Sequence, residues 1–441
     1  MKRFYIYNMC KWVALSLPLC GLWGCADHWD DFTPKHEEEQ QEIAFTATVV
    51  SSRQETRADC SLRDINETSL LKTDANGYAV GVFGYYTGQD TWTSSASANF
   101  FFNQKMNVEA SENGKNALAY PGDTLKRYWP NGKLTSDAEK YEYASFWAYY
   151  PYNESDDPGA YGIAIVPSQQ TAALGKTYGI TNGSGMGSIK FTMHTDASEQ
   201  SDFLISDLVA DRSRTTNPVR DDKSSTPVSF TFHHMLAQVR LYAYIKPVDK
   251  IVYKTDGDGN TVIEDGVPKV DDKKSVYWDS NTSLSYSISF NNIYTTCIFS
   301  PTYETGKTKF PSQTVGSASG SATVDNYTAN EDWWTVSDDK RMLDTEKMYD
   351  NYARGNIILA VPQTLTDDDV PNVVITVKGK ANGKDCTAKV TVNLLNMGIK
   401  WESGFIYSYA FVDELRPDDD LVRGPESITV IFDTTHRTDQ W

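Results

Sequence analysis

The chain has 441 residues, of which 40% are hydrophobic and 12% aromatic, and it carries a formal net charge of −18. This length allows two or three ordinary domains. The excess of acidic residues excludes nucleic acid as an expected partner, because phosphate binding needs clustered positive charge. The six cysteines lack the spacings of a zinc motif or a disulfide framework. We therefore expect no metal and no cofactor.

The first 24 residues have the order of a secretory signal peptide. Lys2, Arg3 and Lys11 precede an apolar run from Trp12 to Trp23, which ends at Gly24. A membrane-spanning helix needs about 20 apolar residues, so this shorter run predicts a removable export signal over 1–24. No later stretch reaches that length, and we expect no other membrane span.

The cysteine that follows suggests a lipid anchor. The stretch Leu22-Trp23-Gly24-Cys25 resembles the lipobox of bacterial lipoproteins, in which the cysteine is acylated and becomes the first residue. The resemblance implies lipid attachment, with palmitate-like chains, at Cys25. The alternative is a generic signal peptide that ends in a cysteine by chance. Residues 25–42 are polar and acidic without apolar periodicity, which predicts a flexible tether.

The first ordered element is predicted at residues 43–50, IAFTATVV. Ile43, Phe45, Ala47 and Val49 alternate with small or polar residues, as in a strand with one buried face. The next ten residues, SSRQETRADC, are polar and predict an exposed loop that contains Arg57 and Ala58.

Further strands are predicted at short intervals. In YAVGVFGYY (78–86), Val80 and Val82 share one face and Phe83 and Tyr85 the other, and the glycines indicate a bend or a close backbone approach. YEYASFWAYYP (141–151) predicts an aromatic strand, and 202–210 predicts either a short helix or a buried strand. The polar stretches 93–116 and 175–188 predict loops.

A charged, turn-rich stretch at 211–227 predicts a domain boundary. The expected domains are 43–222 and 223–441. Just after this boundary, the apolar residues change from even to odd positions between His233 and Leu236, which predicts a bulge or break that keeps one face on the core.

The second half contains clearer strand signals. Hairpins are predicted around Asp256–Asn260 and Asn382-Gly383, NIILAVPQT (356–364) predicts a strand covered on both faces, and the last two strands are predicted in GFIYSYAFV and SITVIFD. No segment has a clear helical period. We therefore predict an all-β chain with two consecutive antiparallel β-sandwich domains.

No enzymatic constellation is complete, and we expect no catalytic residues. Asp256, Asp258 and Asn260 resemble the start of a calcium loop, but the required glycine and glutamate are missing. His233 and His234 are adjacent on a predicted strand and should face opposite sides, one exposed and one satisfied in the core.

One aromatic pair has two interpretations. Trp333-Trp334 could stack on sugar rings, or it could cover the open end of a sandwich, and the second interpretation is favoured.

Several segments together resemble the fimbrillin family, the type V pilus subunits of Bacteroidales. The segments are the lipobox, IAFTATVV followed by Glu55-Thr56-Arg57-Ala58, YAVGVFGYY, FWAYYP, SDFLISD, VSFTFHHMLAQV and WESGFIYSYAFV, in this order along most of the chain. The resemblance implies an exported lipoprotein with two transthyretin-like β-sandwich domains.

The resemblance also implies how such a chain assembles. A protease would cut Arg57–Ala58 and release the strand containing Ile43, Phe45, Ala47 and Val49, and a strand of another fimbrial subunit, such as the C-terminal SITVIFDTTHRTDQW, would refill the groove. The expected location is the surface of the outer membrane, through Cys25, and then the fimbria. The subunit's rank as stalk, tip or anchor and any host or glycan ligand are left open. The alternative function is a lipid-anchored, glycan-binding surface protein.

Overall fold

The structure is a computed structural model that describes the strands and their connections over most of the chain beyond residue 40. The described residues are 41–49, 78–93, 100–112, 115–130, 142–154, 159–166, 188–213, 226–304, 307–315, 319–325, 334–337, 340–343, 356–364, 371–394, 400–424 and 429–430. Cys25, Arg57, Ala58 and Trp333 lie outside these ranges.

The predicted all-β class is confirmed: the described ranges contain no α-helix. Short 3₁₀ turns occur at Asp123–Leu125, Gly159–Tyr161 and Ala197–Glu199. The strands of the first half are β1 (Phe45–Val49), β2 (Ala79–Gly88), β3 (Phe101–Glu112), β4 (Lys115–Ala119), β5 (Tyr143–Tyr150), β6 (Ile163–Val166), β7 (Ser188–Thr192), β8 (Leu204–Ser206) and β9 (Val209–Arg212).

The strands of the second half follow the same numbering. They are β10 (Val228–His234), β11 (Ala237–Pro247), β12 (Ile263–Glu264), β13 (Val267–Pro268), β14 (Ser285–Tyr294), β15 (Thr296–Glu304), β16 (Lys307–Val315), β17 (Ser319–Asp325), β18 (Trp334–Ser337), β19 (Lys340–Leu343), β20 (Asn356–Ala360), β21 (Gln363–Thr364), β22 (Asn372–Ala381), β23 (Lys384–Asn393), β24 (Lys400–Trp401), β25 (Ile406–Leu415), β26 (Asp420–Arg423) and β27 (Thr429–Val430).

The first sheet closes on itself. Its order is β2-β3-β4-β1-β10-β8-β5-β9, and β2 also pairs with β5, so that the strands from β2 round to β5 form a closed ring. Apolar side chains from these strands form one cluster, the ring core, which includes Val80, Phe101, Leu118, Phe146 and Phe230. The ring core is one of two large apolar clusters among the described residues.

The second cluster, the main core, is shared by the ring and the remaining sheets. These sheets have the orders β20-β11-β25-β27, β17-β14-β22-β23-β26 and β16-β15-β7-β6, and the described pairs β12-β13, β18-β19 and β21-β24 are smaller. The main core collects Phe83, Trp147, Val239, Ile358 and Val390, among others.

Strands β2 and β5 separate the two cores. The predicted facing of β2 is confirmed: Val80 and Val82 point into the ring core, and Phe83 and Tyr85 into the main core. The predicted close approach at the β2 glycines is also confirmed, because a Cβ added to Gly81 would lie 2.1 Å from a ring carbon of Tyr149.

The predicted change of facing after His233 is confirmed as a break between β10 and β11. The break was expected to keep the same face of the chain on a single core, and this expectation is wrong because the two strands contribute to different cores. Val228 and Phe230 belong to the ring core, whereas Val239 and Leu241 belong to the main core. The break at Met235–Leu236 transfers the chain from one sheet to another.

Strand pairing crosses the position predicted as the domain boundary. β10 pairs with β1, and β7 pairs with β15. The boundary at 222/223 therefore does not separate the described sheets, and the division into domains 43–222 and 223–441 stays a prediction, as does the likeness to transthyretin.

Of the local predictions, a hairpin is confirmed and a loop is wrong. The hairpin at Asn382-Gly383 is confirmed, with both residues at positive φ, and the segment 202–210 contains the strands β8 and β9. The loop predicted over 93–116 is wrong, because β3 and the start of β4 lie there.

No helix in the described ranges is long and apolar enough to cross a membrane.

Candidate functional site

The predicted removable strand forms β1, which lies between two strands that are distant in sequence. It pairs in parallel with β10, from Phe45 opposite Val228 to Val49 opposite Phe232. On its other side it pairs antiparallel with β4, where Phe45 lies opposite Leu118. β1 therefore closes the ring between β4 and β10.

The residues just before β1 are also hydrogen-bonded to the chain that follows β4. The Ile43 backbone N–H donates to the Arg127 carbonyl at 2.9 Å, and the Trp129 N–H donates to the Gln41 carbonyl at 2.9 Å. The Tyr120 hydroxyl donates to the Ile43 carbonyl at 3.1 Å. Burial raises the pKa of Tyr120, which keeps this donor protonated.

The inward face of β1 is almost completely removed from solvent. Ile43 and Ala47 are 0% exposed, Phe45 is 2% exposed and Val49 is 8% exposed. All four belong to the ring core. Their alternation with half-exposed neighbours matches the predicted strand.

Phe45 lies in an aromatic box formed by Phe101, Phe146 and Phe230. Its ring stacks on Phe230 with a centroid distance of 5.4 Å and an interplanar angle of 6°. The rings of Phe146 and Phe101 meet it edge to face, at 5.3 and 5.7 Å. Such pairs add to the energy of burial and prefer this geometry, so Phe45 is the main anchor of β1.

The outward face of β1 makes weaker contacts. The hydroxyls of Thr46 and Ser229 lie 3.0 Å apart in an exposed position, and the Thr48 hydroxyl donates to the Phe230 carbonyl at 3.3 Å. Side-chain burial and the two backbone ladders therefore hold β1 in place.

The other predicted site residues cannot be placed around this strand. Cys25, Arg57 and Ala58 lie outside the described residues, as does the connection from residue 50 to residue 77. Lipid attachment at Cys25, cleavage at Arg57–Ala58 and the removability of β1 stay predictions.

The two histidines face opposite sides of β10, as predicted, although His233 is only partly exposed. His234 is buried, with its Nδ1 2.6 Å from the Asp202 carboxylate, whereas the His233 side chain is 29% exposed and lies 3.1 Å from Asp207. Across the described ranges, no three His, Cys, Asp or Glu side chains group closely enough to hold one metal ion.

The acidic loop at Asp256–Asn260 and two of the cysteines are also described. Asp256 accepts hydrogen bonds from the backbone N–H groups of Asp258 and Asn260, as expected for a turn. Cys297 and Cys386 are free, buried thiols.

The sequence patterns did not identify β3 and β4, which form one side of the site. Phe101 and the start of β4 fall in the stretch 93–116, which the sequence predicts as a loop. The alternation of Met106 and Val108, both buried in the ring core, is the signal that could have identified β3.

Comparison with known proteins gives similar structures at low identity. No protein-family model matches the chain, and no curated protein is similar to it. It is similar to a proposed cell adhesion protein of Bacteroides ovatus, with 14% identity and a TM-score of 0.38 over 87% of this chain and 99% of the other. It is also similar to a proposed cell adhesion protein of Bacteroides uniformis, with 13% identity and a TM-score of 0.36 over 90% of this chain and 97% of the other. A fimbrial protein of Bacteroides ovatus is similar at 12% identity and a TM-score of 0.28, over 86% of this chain and 50% of the other.

Proposed function

We propose that the chain is a non-enzymatic structural subunit of a cell-surface fimbria, assembled by strand exchange after proteolytic removal of β1. The observation that carries the proposal is the position of β1. It is the first described strand, it fills the ring between β4 and β10, and its connection to β2 contains the Arg57–Ala58 bond. A single cut in that connection turns β1 into a separate peptide.

The energetics favour exchange over spontaneous release. Three large buried side chains, those of Ile43, Phe45 and Val49, contribute about 1.5–3 kcal/mol each and together stabilise the paired strand by roughly 5–9 kcal/mol, before Ala47 and the backbone ladders are counted. A cut strand held this strongly stays in place until another strand competes for the same position. The cut makes the exchange possible, and the incoming strand supplies the free energy.

The empty groove would bind a strand for two reasons. Backbone groups of β4 and β10 would lose their partners, and the apolar side chains of the ring core would be exposed. A strand from a neighbouring subunit restores both interactions by β-augmentation. Before processing, lipid on Cys25 would hold the chain at the outer membrane through the tether 25–42.

A cleavage-site variant tests the proposal. Arg57→Ala, expressed in a fimbriated Bacteroides host, should keep its original N-terminus and yield monomers in unboiled SDS gels. The wild type should begin at Ala58 and form ladders. Arg53→Ala, a matched change in the same loop, should behave as the wild type.

Two results would contradict the proposal. Ladders from Arg57→Ala that equal those of the wild type would remove the role of cleavage. A wild-type protein that keeps an acylated Cys25, forms no ladders and binds saccharide would instead support the glycan-binding alternative.

A further inference from the structure

The outward face of the sheet β17-β14-β22-β23-β26 carries a polar groove. Alternation along β22 and β23 puts Ile375, Val377, Ala388 and Val390 into the main core, where each is 0% exposed. The residues between them therefore face outward. The polar groove on this face has a volume of about 580 Å³, within the range of about 300–1,000 Å³ that small-ligand sites occupy.

Two rows of polar side chains cross the floor of the polar groove. The first row runs over four neighbouring strands through Ser287, Thr376, Lys389 and Asp420. In the second row, Lys378 lies opposite Thr387. The floor therefore combines hydroxyl groups, which both donate and accept hydrogen bonds, with ammonium groups, which only donate.

The rim of the polar groove is a turn that is fixed to β23. The Lys389 backbone N–H donates to the Asp419 carbonyl at 2.8 Å, and the Arg416 N–H donates to the Asp419 carboxylate at 2.8 Å. The Cys386 thiol donates to the Asp418 carboxylate at 3.2 Å. A carboxylate has two oxygens and accepts several hydrogen bonds, so both groups can accept further ones from a ligand. The acceptors of the rim are thus held beside the donors of the floor.

The charges of the polar groove select against an ionic ligand. Lys378 and Lys389 supply two ammonium groups, and Asp418, Asp419 and Asp420 supply three carboxylates. A ligand with a carboxylate would be repelled by three like charges, and a ligand with an amine by two. Both lysines are exposed, so their ammonium groups can reach a ligand that has no charge of its own.

We propose that the polar groove binds a neutral saccharide. Sugar hydroxyls both donate and accept hydrogen bonds, so they match the ammonium donors, the carboxylate acceptors and the hydroxyls of Ser287 and Thr376 without adding charge. This inference goes beyond strand exchange, because the polar groove contains no residue of β1 or of the ring core.

A peptide fits the polar groove less well than a sugar. β22 and β23 each have a partner strand on both sides, so a peptide cannot add to the sheet through its backbone. The residues that line the groove are polar and give no apolar pocket for side chains of a peptide. None of these lining residues is aromatic, so we expect each site to bind weakly and firm attachment to need many copies on one surface.

Saturation-transfer NMR on the full chain without its predicted signal peptide tests the ligand class. The probes are neutral disaccharides of glucose, galactose and mannose, with glucuronate and protonated glucosamine as charged comparisons. At least one neutral disaccharide should bind, and the charged sugars should bind about fivefold more weakly or less.

Two matched pairs of variants locate the binding. Lys389→Met should weaken it about 10-fold or more, whereas Lys380→Met, on the same face of the sheet but outside the polar groove, should leave it within about twofold. Thr376→Val removes a hydroxyl from the floor and should weaken binding about three- to tenfold, and Thr391→Val should not. All four side chains face outward, so unchanged thermal unfolding is expected and serves as the check on folding.

Three results would overturn the proposal. Binding of the charged sugars alone would refute the ligand class. Equal losses in Lys389→Met and Lys380→Met would refute the location, and absence of binding by every probe would refute the site. Strand exchange is tested by ladders and processing instead, so either proposal can fail while the other stands.

Discussion

Replacing Phe45 by alanine should loosen β1 selectively. The side chain is 2% exposed and contacts three aromatic rings. Loss of such a ring from a core costs about 3–5 kcal/mol, because the cavity adds to the lost burial. If β1 opens without the rest of the chain, its amides should exchange with solvent on the order of 100- to 4,000-fold faster.

Native-state hydrogen exchange measures this opening. The full chain without its predicted signal peptide, carrying Arg57→Ala so that β1 stays attached, provides the reference protein. Thr46→Ala is the matched control, since it removes one exposed hydroxyl contact and should change exchange less than about fivefold. Equal exchange in the Phe45→Ala and Thr46→Ala proteins would refute the assignment of Phe45 as the anchor.

Three further predictions address the rest of the fold. Gly81→Ala should lower the free energy of unfolding by roughly 2 kcal/mol or more in urea titrations, because the added Cβ has no room, whereas Gly257→Ala, which meets no atom within 4 Å, should be nearly neutral. His234→Ala leaves a buried carboxylate without its partner and should cost about 3–5 kcal/mol in the same assay, and His233→Ala should cost less than about 1 kcal/mol. Burial raises the pKa of Cys297 to about 12, so mass spectrometry should find this thiol unalkylated at pH 8 in the folded protein and alkylated in urea; equal labelling in both states would contradict its burial.

Local patterns identified strands where alternation was uninterrupted. β1 follows the alternation of Ile43, Phe45, Ala47 and Val49, and the hairpin at Asn382-Gly383 follows a turn that requires positive φ at both residues. Both features depend only on residues that are neighbours in the chain, so the sequence pattern is sufficient to predict them.

The missed strands carry buried polar residues whose hydrogen-bond partners lie outside their own strand. Asn103 is buried in β3, accepts a hydrogen bond from the Tyr149 hydroxyl at 2.7 Å and donates to the Asn153 carbonyl at 2.8 Å. Asn116 is buried in β4 and donates to the Glu109 carbonyl. Such residues predict a loop from composition, because their partners are not visible in the local sequence.

The break between β10 and β11 is a second feature that the local sequence explains only in part. The change of facing was visible in the sequence, but its purpose depends on the presence of two cores. A pattern of buried positions does not say which core each position faces.

The sequence by itself determined the strand-forming alternation, the turns and the inward face of β1, because these follow from backbone geometry over a few residues. The tertiary structure alone decided that β1 pairs with β4 and β10, that β2 and β5 are buried on both sides, and that Phe45 meets three aromatic rings. These contacts join residues up to about 180 positions apart, and the closure of the ring selects them, since every strand needs a partner on each side.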